Sequence, residues 1–67
     1  MKYIYLNIIK EIKRNHDTQK NVAKVLYISE LTFRKKLAGI SEWSIGEIET
    51  LCNHFKKDYY ELFKRKD

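Results

Sequence analysis

QKNVAKVLYISELTFRKKLAG, residues 19–39, decides how the rest of this 67-residue chain is read. Val22, Ala23 and Leu26 stand at i, i+1 and i+4, one apolar stripe on a helix, while Gln19, Lys20, Asn21 and Lys24 take the other faces. Ala23 is small enough for a second helix to cross closely at a steep angle, and Ile28 can plug the corner below the turn. Ser29 is a natural N-cap for the next helix, its hydroxyl accepting from the free amide of Leu31 or Thr32. That helix buries Phe33 and Leu37, one turn apart, and turns Glu30, Leu31, Arg34 and Lys35 outward. Gly39 ends it in the left-handed conformation that suits a helix C-terminus. The stretch predicts two short helices joined by a tight turn, the second studded with cations.

Working outward, Tyr5, Ile8, Ile9 and Ile12 recur at helical spacing and predict an amphipathic first helix over about residues 3–15, with a basic exposed side. A polar break at residues 15–18 follows, where Asp17 or Thr18 caps the second helix. Ser44 with Glu47 three places on is a capping box, opening a fourth helix that runs to about residue 54. Asp58 and Glu61 repeat the device for a short fifth helix. With no proline, no repeat and no low-complexity linker, the chain reads as one all-α domain over residues 1–67, with its helix-turn-helix core at 19–39.

The segment resembles the Cro and phage-repressor type of helix-turn-helix domain, particularly its small phage-borne members. Thr18, Gln19, Ala23, Leu26, Ile28, Ser29, Thr32, Phe33, Lys36, Leu37 and Gly39 carry the likeness. It continues through Ser41-Glu42-Trp43-Ser44, the apolar Ile45, Ile48, Leu51 and Cys52, and Asp58-Tyr59-Tyr60-Glu61-Leu62-Phe63, so that it covers roughly the whole chain. The resemblance implies a five-helix, lambda-repressor-like fold and sequence-specific binding to double-stranded DNA, as a transcriptional repressor in the cytoplasm of a bacterial host. Three positions depart from the family pattern. Tyr27 stands where glycine is usual, Asp17 replaces an apolar anchor of the first loop, and Leu31 is apolar where base-reading helices carry something polar. Because Ile28 and Ser29 keep the family's register, a left-handed Tyr27 is expected in preference to a turn rebuilt with negative φ.

Composition agrees with a polyanionic partner and disfavours several other classes. The formal net charge is +5, with cations gathered at Lys10, Lys13 and Arg14, at Lys20 and Lys24, at Arg34, Lys35 and Lys36, and at Lys56, Lys57, Lys64, Arg65 and Lys66. The single cysteine, Cys52, forms no internal disulfide and falls on an apolar helix face, where a buried reduced thiol is expected. His16 and His54 have no partner at ligand spacing, so no metal is expected. Gly39 and Gly46 are the only glycines, which leaves no phosphate-cradling loop, and no nucleophile grouping suggests an enzyme or a cofactor. No apolar run approaches a membrane span, and the N-terminal stretch is too rich in charge for a secretory signal.

The resemblance also implies roles. Ser29, Glu30, Leu31, Arg34 and Lys35 are the side chains able to reach base edges: Arg34 or Lys35 toward guanine, Glu30 toward cytosine, Leu31 toward a thymine methyl. Glu30 and Arg34 are also spaced for an ion pair on the helix surface. Gln19 matches the family's phosphate clamp, with Lys20, Lys36 and the loop around Ser41 adding phosphate contacts. Trp43 reads either as an aromatic lid over Phe33 and Leu37 or as a dimer or partner contact. One of Tyr59 and Tyr60 should pack inward, leaving the other on the surface for a homodimer. A protein-binding use of the same fold, as an antirepressor or an inhibitor of a host or defence protein, is the alternative that Leu31, Glu30 and Trp43 motivate.

Overall fold

The computed structural model describes residues 2–65, all-helical within that range; Lys66, one of the expected cations, lies outside it. Five helices follow one another: α1 (Leu6–Arg14), α2 (Gln19–Val25), α3 (Glu30–Leu37), α4 (Ile45–Phe55) and α5 (Tyr59–Leu62). Each of the last four starts on a side-chain cap. Thr18 accepts from the Asn21 amide (3.0 Å), Ser29 from Thr32 (3.0 Å), Ser44 from Glu47 (3.1 Å) and Asp58 from Glu61 (2.8 Å). The box at Ser44 is complete, since the Glu47 carboxylate returns to the Ser44 amide at 2.8 Å. At Asp58 only half of the expected device forms, because the Glu61 carboxylate turns toward Lys57 instead, 3.7 Å away.

The first helix starts later than its periodicity predicts. The amides of Ile4 and Tyr5 both donate to the Leu37 carbonyl, at 2.9 and 3.2 Å, so this segment is tied to the end of α3 rather than joining α1. Gly39 makes room for it. A Cβ at that position would stand 2.6 Å from Ile4 Cδ1, and its φ of +78° is left-handed, so two separate demands call for glycine.

The first four helices end alike. In each, one residue takes the left-handed conformation: His16 (φ 53°), Tyr27 (φ 59°), Gly39 and Lys56 (φ 54°). The amide after it reaches back to a carbonyl five residues earlier, as Asp17 does to Ile12, Ile28 to Ala23, Ile40 to Lys35 and Lys57 to Cys52. These are Schellman closures, which satisfy carbonyls that a helix end otherwise leaves free. The tight turn between α2 and α3 is therefore a helix ending followed by a serine cap.

Tyr27 pays for this geometry without packing, since it is 95% exposed. Replacing it with glycine relieves the left-handed penalty, against the extra freedom glycine gives the unfolded chain; the net gain is on the order of 1 kcal/mol. Tyr27→Gly is expected to raise the thermal midpoint by about 4–8 °C. A calorimetric scan in which the midpoint fell would show that the left-handed turn carries no strain.

The core gathers Ile8 and Ile12 of α1, Val22, Ala23 and Leu26 around α2, Phe33 and Leu37 of α3, Leu51 and Phe55 of α4, and Leu62 and Phe63 at the end. Ile45, in the first turn of α4, stays exposed while Ile48 and Leu51 turn inward. Cys52 is half-buried at the core's edge, and burial, with the Asp58 carboxylate as a second cause, pushes its thiol upward and keeps it protonated. Asp17 anchors the α1–α2 corner by polar contacts. It accepts from the Thr18 amide (2.8 Å) and the Asn21 side chain (2.8 Å), and meets His54 of α4 at 3.3 Å. Hydrogen bonds thus hold this corner. At the other end, Asn7 of α1 donates to the Glu61 carbonyl at 2.7 Å and ties α5 down.

Candidate nucleic-acid interface

α2 and α3 make the most extensive contact between helices, and α3 divides its residues cleanly between two faces. Phe33 and Leu37 are fully buried, whereas Leu31 is 53% exposed and Arg34 and Lys35 are open to solvent. Ser29 is spent on its own helix: its hydroxyl accepts from the Thr32 amide and donates to the Thr32 hydroxyl at 2.8 Å. Because Phe33 and Leu37 fix α3 against the core, the outward side chains are presented from a rigid base.

Glu30 and Arg34 form the ion pair their spacing allows, with Nη2 to Oε2 at 2.6 Å. The pair is well exposed, so its own contribution to stability is small. Arg34 also reaches across to α2, its Nε donating to Gln19 Oε1 at 3.4 Å. The Gln19 side-chain oxygen is therefore used within the protein, while its amide N–H groups remain donors. Lys20 and Lys24 are exposed on α2, and Ser41 is half-buried in the loop after α3.

Lys36 departs from the expected phosphate contact. Only 9% exposed, it turns its ammonium inward, where Nζ meets Glu47 Oε1 at 2.6 Å and the Glu42 carbonyl at 3.0 Å, above the Trp43 ring. The physical reason is its place on α3: three residues after Phe33, it borders the buried face and finds a carboxylate there. It locks α3 to the first turn of α4 and is not free for a phosphate.

Trp43 is also turned inward. Its ring meets Phe33 at 5.9 Å, Tyr5 at 5.8 Å and Phe63 at 5.3 Å between centroids, all edge-to-face. It packs as the aromatic lid of the two readings, half-buried against the core. Neither tyrosine of α5 is buried as expected. Tyr59 stacks on Phe63 at 5.4 Å but stays exposed, and Tyr60 is 84% exposed. The reason is the brevity of α5, whose single turn places only Leu62 and the following Phe63 against the core.

Two carboxylates in this framework carry a pH dependence. Burial pushes Asp17 upward, but the hydrogen bonds from Thr18, Asn21 and His54 outweigh it and hold its carboxyl below the ordinary 3.8. For Glu47 burial likewise acts upward, and Lys36 together with the Ser44 amide holds it below 4.5. Both groups prefer the folded state when ionised, so their stabilisation is fully present above about pH 5 and is lost as pH falls through the depressed folded-state values. Urea midpoints should drop steeply below about pH 4. In Asp17→Asn with Glu47→Gln, the drop should shrink; an unchanged acid limb would assign it to other groups.

Among the described residues, no group of three or more His, Cys, Asp or Glu side chains gathers as a metal site requires. Nor is any helix among them long and apolar enough to cross a membrane. Comparison with protein-family models, curated proteins and solved structures yields no significant match to this chain.

Proposed function

We propose that this protein is a sequence-specific DNA-binding regulator, a Cro-like repressor of a phage or mobile element acting in the bacterial cytoplasm. The observation that supports this reading is the outward face of α3, where Leu31, Arg34 and Lys35 stand on a helix clamped by the turn to α2. A helix held in that way fits the major groove, with Gln19, Lys20 and the loop at Ser41 flanking it for phosphates. A single module of this kind covers roughly 600–1,000 Å² of DNA, too little for tight specific binding. Two copies pairing across a palindrome supply the rest, and the uncovered Tyr59 and Tyr60 are the proposed contact.

Gel shifts against DNA flanking the gene, repeated over a range of salt, test the proposal. Affinity is expected to fall with salt by about 0.9 log units per log unit for each phosphate neutralised. Arg34→Ala and Lys35→Ala should each cost about 1–3 kcal/mol at the specific site, with helical circular dichroism unchanged. A double variant that binds as well as the parent would remove α3 as the reader.

The second reading, a protein-binding module such as an antirepressor or an inhibitor of a host or defence protein, draws on exposed Leu31 and Ile40. A flat salt slope together with tight binding to a protein would favour it.

A further inference from the structure

Tyr27 keeps its left-handed backbone (φ 59°) although its side chain is almost wholly exposed, and strain held without local return points to a use elsewhere. A second cost stands close to it. Gly46 lies in the first turn of α4, where glycine holds a helix less well than alanine does. Nothing nearby requires glycine there, since a Cβ at that position would meet no atom within 4 Å. Both residues line one cleft of about 560 Å³, between the end of α2 at Val25 and Leu26 and the start of α4, with Thr50 one turn further along. Clefts of about 300–1,000 Å³ hold small organic molecules, so a phenol ring fits. An exposed ring thus stands at the edge of a hollow that a bare glycine leaves open. A knob beside a hole suits a two-fold contact between identical chains, because each copy supplies both halves.

Charge also favours a second copy here. No lysine or arginine lines the cleft, and α4 carries neither from Ile45 to Phe55. The one charged lining residue, Glu47, is paired with Lys36 at 2.6 Å. The cleft between α1 and α5, by contrast, is lined by Lys10, Lys57 and Lys64. Two copies, each with a formal charge of +5, meet with less repulsion at a face lined by no cation.

We propose that Tyr27 of each of two copies enters the other's cleft over Gly46, forming a reversible two-fold contact. Two such insertions, counting each ring and the wall it covers, take on the order of 600–1,000 Å² out of water. This lies below the ~1,200 Å² of stable interfaces, so the contact forms in the micromolar-to-millimolar range. It is separate from the pairing through Tyr59 and Tyr60, and it does not depend on the DNA-binding reading.

Sedimentation equilibrium of the unmodified protein, from about 10 µM to about 1 mM, tests the contact. The weight-average mass should rise with concentration, and rise further at higher salt, which screens the repulsion between like-charged copies. Tyr27→Gly, which removes the knob, and Gly46→Leu, which fills the hole, should each weaken association by about 10-fold or more, as loss of a central aromatic anchor does. Tyr27→Phe keeps the ring and should retain most of it. Where Tyr59 and Tyr60 also join copies, the parent passes beyond a dimer and the first two variants stop at one. Neither of those two should lower the thermal midpoint, because one relieves the turn and the other places its side chain in open space. Residues that merely hold the fold would give the reverse, a lower midpoint with association unchanged. Loss of association counts only with helical circular dichroism; if Tyr27→Gly failed to fold, Gly46→Leu alone decides. A parent that stays monomeric throughout, or association undiminished in either folded variant, overturns the inference while the DNA-binding reading stands.

Discussion

Phe33→Ala is expected to leave the protein largely unfolded at 25 °C. The ring is fully buried on the inner face of α3 and meets Trp43 edge-to-face. Removing it deletes that contact and opens a cavity between α3 and the rest of the core, a change that costs about 3–5 kcal/mol. A domain of this size without disulfide or metal rarely holds more than about 3–5 kcal/mol in total. The expected loss is therefore comparable with the whole stability. Far-UV circular dichroism should show the helical signal collapse, and a cooperative melt within about 10 °C of the parent would contradict the assignment of Phe33 as the central core residue.

The second large effect concerns Lys36 and Glu47. Their side chains are only 11% and 13% exposed, so each ion relies on the other in place of water. Lys36→Met strands the Glu47 carboxylate at the Ser44 cap, at an expected cost of about 3 kcal/mol. Changing both, as Lys36→Met with Glu47→Gln, removes the stranded charge while keeping an oxygen that can accept from the Ser44 amide. The double variant should recover at least half of the loss, and a double-mutant cycle in urea reads the coupling directly. A single-variant cost below about 1 kcal/mol would place the pair with ordinary surface bridges.

What the sequence made legible was local. Thr18, Ser29, Ser44 and Asp58 each place an oxygen three residues before the amide they cap, a relation set by helix geometry alone, and all four act so. The left-handed Tyr27 followed from register, because Ile28 and Ser29 leave the turn no other length. The late start of α1 was not legible, since it depends on the Leu37 carbonyl, which becomes a neighbour only once α3 has packed. Lys36 left a faint signal in lying three residues after Phe33, beside the buried stripe, but its partner Glu47 belongs to another helix. The Gln19–Arg34 contact is of the same kind. Both residues stood among those expected to touch DNA, and only the crossing of α2 over α3 reveals that they touch each other. For Tyr59 and Tyr60, the shortness of α5 decides exposure, and pattern alone does not fix where a single helical turn will point.

Trp43 is the chain's one tryptophan, and its indole lies among Tyr5, Phe33 and Phe63 with the Lys36 ammonium above it. The protein thus carries a built-in optical reporter at the junction of the N-terminal segment, α3 and the loop into α4. Excited selectively, that single chromophore emits from a sheltered site in the folded state and from water once the junction opens. Its emission wavelength therefore follows the packing behind α3 without any attached label, on a background of tyrosines that selective excitation leaves dark.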